Sequence, residues 1–238
     1  MANTFFKYKQ FTVHQEKTAQ KVCTDTSLFG ALIKPINPTE ILDIGTGTGV
    51  LSLMIAQITE AKITAIEIED NAFLQASENV EASNWKDRIE VLKGDVNEYA
   101  NKTDQKFDLI ISNPPFFQNS YKSDKNSKNL ARHNESLSLA HLANCVNRLL
   151  TSNGLFWVLL PSFEAQTLCE ELANYQLYLD QSICIKNYIG DEKVSRVVNC
   201  FSRLEKEPQK KEIAIYQDKN REYTSDFVKL LKPYYLYL

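Results

Sequence analysis

Apolar residues fall in short runs along this chain, and two periods separate them. Glu40–Ile44, Lys62–Ile68, Arg88–Asp95, Phe107–Ser112 and Leu155–Pro161 read as strands, each bounded by turn-forming or polar residues. Between them the spacing changes. Val50–Ile58 is apolar nearly all round, the pattern of a well-buried helix. Asp70 is placed to cap a helix on which Ala72, Phe73, Ala76 and Val80 share one face. Further helices are predicted at Leu137–Leu150, Phe163–Asn174 and Thr224–Leu231. Two long strand candidates, Tyr178–Tyr188 and Val194–Leu204, are joined at Gly190-Asp191, so at least one runs antiparallel. A short strand follows at Glu212–Tyr216. Aromatic and polar residues alternate from Phe5 to Gln15, which suits a hairpin, and 118–136 has no period, as in a long loop. Strands alternating with helices predict an α/β fold: a doubly wound, mostly parallel sheet. The whole is read as one domain, with an N-terminal extension (1–35), a core (36–204) and a C-terminal strand and helix (205–238). Ligands of such sheets bind beyond the carboxyl ends of the strands, where the strand order reverses.

Chemistry gathers at those ends. Asp43 to Gly49, "DIGTGTG", follows the first core strand. Gly45, Gly47 and Gly49 allow a tight turn and close approach of a ligand. A dinucleotide fingerprint would need glycine at Val50, whereas G-x-G-x-G after an acid fits S-adenosylmethionine. Glu67 ends the second strand, placed for a ribose diol. Asp95 ends the third, where its carboxylate would accept an adenine amino proton and the Val96 amide would face a ring nitrogen. Asp43 would hold a positively charged amino group. Thr46, within the loop, and Ile68, after Glu67, complete the cofactor candidates with Asn113.

The fourth strand ends on Asn113-Pro114-Pro115-Phe116. Adjacent prolines stop a ladder and fix the backbone. An amino group on a planar base or amide is a poor nucleophile, because its lone pair is delocalised. The Asn113 side-chain oxygen and the Pro114 carbonyl would accept its two protons, and Phe116 offers a stacking face.

Composition narrows the class. The chain has 238 residues, 43% hydrophobic, and no apolar run near the roughly 18 residues of a membrane helix. The start lacks a signal-peptide pattern, and a cytoplasmic, monomeric protein is expected. Five cysteines without Cys-x-x-Cys spacing and three scattered histidines predict buried free thiols and no metal site. The net charge of -3 means that a nucleic-acid partner must be met by local cations. Candidates are Lys122, Lys125, Lys128, Arg132 and His133 after the tetrapeptide, then Lys7, Lys9, Lys17 and Lys21, then Lys206, Lys210 and Lys211.

The pairing of D-x-G-x-G-x-G with N-P-P-F resembles the class I S-adenosylmethionine-dependent amino-methyltransferases. Phe6–Ala31, Ala131–Ser138 and the closing "REYTSDFVKLLKPYYLYL" resemble one branch, the bacterial valine-tRNA adenine-37 N6-methyltransferases. The resemblance covers nearly the whole chain and implies a Rossmann-like, seven-stranded sheet with one antiparallel strand. It implies methylation of adenine N6 beside the anticodon, and it adds Thr24 and Asp25 to the cofactor candidates. Cys23 departs from the glycine common there. Guanine N2 in ribosomal RNA, a protein glutamine amide, or a non-catalytic S-adenosylmethionine- or RNA-binding module are the alternative readings.

Overall fold

The computed structural model describes residues 3–114 and 137–238. An eight-stranded sheet forms its centre, in the order β10-β8-β9-β7-β6-β3-β4-β5. These strands are β3 (Glu40–Ile44), β4 (Lys62–Glu67), β5 (Ile89–Lys93), β6 (Phe107–Ser112), β7 (Leu150–Leu160), β8 (Tyr178–Tyr188), β9 (Val194–Ser202) and β10 (Gln209–Tyr216). Only β9 runs against its neighbours in this sheet. Seven strands match the expected set. The eighth is β10, which continues the sheet in parallel beside β8 rather than standing apart.

Successive residues of the central strands serve opposite faces. Ile41, Leu109 and Ile111 join a core with α1 (Thr24–Leu32), α2 (Val50–Ala56) and α7 (Ser225–Leu231). Leu42, Ile44 and Ile110 join a second core with α4 (Val96–Lys102), α5 (Leu139–Leu149) and α6 (Ser162–Ala173). Period-2 alternation of fully buried side chains on both faces is what a doubly wound sheet requires. Four local expectations are corrected. Glu69, not Asp70, caps α3 (Asp70–Glu81), its carboxylate accepting the Ala72 amide. Helix α4 was not expected; it is short and buries only Val96 and Ala100. The segment Thr151–Gly154, read as a connection, belongs to β7. Of the five free cysteines, Cys145 and Cys200 are buried, Cys169 and Cys184 are half-buried, and Cys23 is exposed.

A hairpin of β1 (Phe5–Lys7) and β2 (Thr12–His14) packs beside α3. Two buried polar residues of α3 explain how. Asn79 accepts the His14 amide and donates to the His14 and Thr48 carbonyls, and Gln75 accepts the Lys17 amide. The hairpin also meets the far end of the chain: Tyr8 bridges Tyr235, and the Lys9 amide donates to the Tyr234 carbonyl at 2.8 Å. No described helix is long and apolar enough to cross a membrane.

Candidate active site

β3 lies between β4, to which the chain passes first, and β6, to which it returns. This is the reversal in strand order, and both neighbouring strand ends carry candidate chemistry. Gly45–Gly49 follows β3, and Asn113-Pro114 follows β6. The Ser112 hydroxyl donates to the Ile44 carbonyl at 2.9 Å and ties the two ends together.

All three glycines of the loop have positive φ, 71°, 60° and 81°, which L side chains seldom adopt. Their roles differ. A Cβ on Gly45 or Gly47 would meet no described atom within 4 Å, so both turn toward open space. A Cβ on Gly49 would sit in ordinary contact with Ala76 at 3.6 Å, so its φ of 81° rather than crowding is what calls for glycine. The Gly45 and Thr46 amides both donate to the Ile66 carbonyl, fastening the turn to β4.

Asp43 is fully buried beneath the loop. One carboxylate oxygen accepts the hydroxyls of Thr46 (2.6 Å) and Ser52 (2.7 Å). The other has no hydrogen-bond partner among the described residues. Burial pushes the carboxyl up to about 6, with the two hydroxyls pulling it back and the nearby Glu67 charge adding to the rise. At neutral pH it is therefore largely ionised and half-satisfied, which suits a cationic guest. Glu67, expected at a ribose diol, also holds main chain. Its oxygens accept the main-chain amides of Gly47 (2.8 Å), Ile68 and Glu69 (both 2.9 Å), so it braces the loop.

Two recesses open from this loop. In the first, Ile68, Asp95 and Val96 line a slot with Ile44, Ile66 and Leu137. Asp95 caps α4, one oxygen accepting the Asn97 amide at 2.7 Å. Apolar walls with one carboxylate at the edge suit a planar heteroaromatic ring bearing an amino group. In the second, Gln20, Val22 and Thr26 face Thr46 and Gly47 and reach Asn113. The wall is held in place from behind: Lys21 Nζ donates to the Gln15 and Thr18 carbonyls, and the Val22 amide donates to Gln15 Oε1.

Asn113 sits where the second recess meets β6. Its Nδ2 donates to Thr26 Oγ1 at 3.1 Å. Its Oδ1 is buried and has no partner among the described residues. A buried acceptor left unpaired costs about 1–3 kcal/mol, so one that persists beside an open recess is positioned for an arriving donor.

The remaining candidates lie elsewhere. Thr24 and Asp25 begin α1 but line a separate, outer cavity. Lys9 donates to the Lys232 carbonyl at 2.6 Å, and Lys7 is exposed on β1. Lys17 pairs with Glu78 and Lys206 with Asp180. Lys210 and Lys211 start β10, at the end of the sheet opposite the glycine loop. Pro115, Phe116, Lys122, Lys125, Lys128, Arg132 and His133 lie outside the described residues. Among the described residues no cluster of three or more His, Cys, Asp or Glu could hold a metal. Sequence reasoning missed Thr26, Gln20 and Val22. They lie far from Asn113 along the chain, and only the docking of α1 beside β6 brings them there.

Residues 18–175 match the family described as methyltransferase small domain. Full-length relatives agree. A protein of Bacteroides thetaiotaomicron named tRNA1(Val) (adenine(37)-N6)-methyltransferase is 39% identical, covering all of both chains. A Bacteroides fragilis protein of the same name is 36% identical over 99% of each. Among solved structures, a predicted O-methyltransferase from Agrobacterium tumefaciens superposes with a TM-score of 0.67, at 16% identity, over 88% of this chain and 96% of its own. A methyltransferase from Pyrococcus furiosus gives 0.56 at 19% identity, over 80% and 89%. These two likenesses speak for the fold. With a family match over residues 18–175 and relatives 36–39% identical from end to end, the chain belongs to the methyltransferase small domain family, on the branch of the bacterial tRNA1(Val) (adenine(37)-N6)-methyltransferases.

Proposed function

We propose that this protein methylates N6 of adenine 37 in the anticodon loop of a valine tRNA, using S-adenosylmethionine. The observation that carries the reading is the buried, unpartnered Oδ1 of Asn113 beside a glycine loop with room for a guest. The name shared by the full-length relatives supplies the acceptor.

S-adenosylmethionine supplies an electrophilic methyl group when bound. Asp43 receives its amino group, Ile68 and Val96 hold the adenine ring, and Asp95 accepts from the ring's amino group. Glu67 fixes the Gly47 amide and so keeps the loop open. On the acceptor side, Asn113 Oδ1 takes one proton of the target amino group and the Pro114 carbonyl takes the other. Two acceptors favour the geometry of the attacking nitrogen and stabilise the positive charge that grows on it. Thr26 holds the amide so that its oxygen, rather than its NH2, faces the substrate. Phe116 provides the stacking face for the target base.

The test is incubation of unmodified valine tRNA with methyl-labelled S-adenosylmethionine, followed by nucleoside mass spectrometry. N6-methyladenosine should form, and a transcript with guanine at position 37 should stay unlabelled. Label confined to ribosomal RNA or to protein would overturn the proposal.

A further inference from the structure

Beyond the glycine loop, on the same edge of the sheet, lies a larger cavity of about 610 Å³. It sits past the carboxyl ends of β8 and β10, which run parallel to the central strands through the pairing of β7, β9 and β8. Asn187 and Tyr188 end β8, Tyr216 ends β10, and Lys219 and Arg221 stand on the turn that follows. Asp25 completes the inner wall, next in the chain to Thr26, whose hydroxyl accepts from Asn113. The cavity is therefore continuous in the chain with the acceptor corner.

Its chemistry is that of a nucleotide site. The volume falls within the roughly 300–1,000 Å³ of small-molecule pockets. Tyr188 carries Lys219 Nζ at 6.0 Å from its ring centre. Tyr216 stacks on Tyr223 at 5.3 Å, and Tyr223 stacks on Phe227 at 4.5 Å, so its ring is backed by an aromatic column rooted in α7. Neither Lys219 nor Arg221 makes an ion pair among the described residues. The two carboxylates of the wall are already engaged. Asp218 accepts the Asn220 amide at 2.7 Å and its side-chain nitrogen at 3.2 Å, which closes the turn. Asp25 faces Arg196 at 3.8 Å. Arg196 brings the charges at this wall to three cations against two carboxylates, a local positive excess beside two tyrosines on a chain whose net charge is -3.

We infer that this cavity binds a nucleotide of the RNA substrate outside the methylated position, its base against Tyr188 and Tyr216 and its phosphate at Lys219 and Arg221. The inference rests on the proposed RNA substrate and adds a second contact point to it. The experiment compares wild type with Lys219→Glu/Arg221→Glu and with Tyr188→Ala and Tyr188→Phe, using unmodified valine tRNA as probe. Both cations are exposed, so the charge reversal leaves the core intact. The double variant should bind tRNA at least tenfold more weakly, with a salt dependence shallower by about one to two ion equivalents. Its S-adenosylmethionine affinity and its turnover at saturating tRNA should stay within twofold of wild type. Tyr188→Ala should weaken tRNA binding about tenfold and Tyr188→Phe should restore it, as expected of stacking. Unchanged tRNA affinity and salt slope in the double variant, with wild type active on tRNA, would overturn this site alone. Wild type inactive on tRNA would overturn the reading beneath it. A matching loss of S-adenosylmethionine affinity would make the cavity part of the cofactor site and overturn the inference as well.

Discussion

The two strand ends that form the site are built on opposite plans. After β3, the polar groups are spoken for except one oxygen of Asp43: Glu67 by three amides, Thr46 and Ser52 by Asp43, the Gly45 and Thr46 amides by Ile66. After β6, Asn113 is held from one side by Thr26 and left bare on the other. A surface that must receive the same guest repeatedly gains from rigidity, because little ordering remains to be done on binding. A group that assists a reaction gains from an unmet valence, because its interaction is then made with the substrate. The contrast predicts that changes at β3 alter affinity for cofactor and changes at β6 alter turnover.

The sharpest break is Asn113→Ala. Turnover should fall at least tenfold, on the order of a hundredfold, while calorimetric S-adenosylmethionine affinity stays within a few-fold. Equal loss of both would make Asn113 a structural residue and erase the contrast. Next comes Gly47→Ala, which forces a side chain into the left-handed region at φ 60° and into the space before the loop. Stability should fall by about 1–2 kcal/mol from the backbone term, and the added methyl before the loop should weaken cofactor binding about tenfold or more by steric conflict; unchanged affinity would remove this glycine from the cradle. Thr26→Val should lower turnover about fivefold, the worth of one hydrogen bond, and Thr26→Ser should recover it. A serine variant as slow as valine would show that the methyl, not the hydroxyl, matters.

The smallest effect comes from pH. The Asp43 carboxyl titrates near 6 in the folded protein, above its ordinary 3.8. Its contribution to stability is therefore fully present below about pH 4 and is lost as pH rises through about 6. The unliganded protein should melt at a lower temperature at pH 7.5 than at 5.5 through this group, and Asp43→Asn should flatten that difference. S-adenosylmethionine affinity should move the other way, weakening a few-fold as pH falls through 6 and the charge that meets its amino group disappears. Affinity independent of pH over this range would detach Asp43 from the ligand.

The strands and the loop chemistry were legible because they are local. Ile41, Leu42 and Ile44 form an apolar run, and the glycines and Asn113 stand where such runs stop. What escaped was set by distant packing. Thr26 meets an asparagine 87 residues away. Gly49, one of three glycines in a motif, lies against Ala76 of α3, whereas the other two face open space. Glu67 reads as a ribose ligand by position, and its oxygens also accept backbone amides that no pattern of side chains reveals. Gln75 and Asn79 break the apolar face of α3, and only the docked hairpin shows why. Lys219 and Arg221 sit on a turn without period, whereas the more conspicuous Lys210 and Lys211 lie at the opposite end of the strand before it.

The bridge between Tyr8 and Tyr235 ties the binding recess to the segment after α7. The first hairpin leads directly into residues 15–22, which wall the recess over the glycine loop. That hairpin leans on Tyr234 and Tyr235, so contacts between segments far apart in sequence must close before the wall is secured, and such distant closures are slow. A change at Tyr235 therefore reaches the cleft through the hairpin, although it lies on neither the glycine loop nor β6.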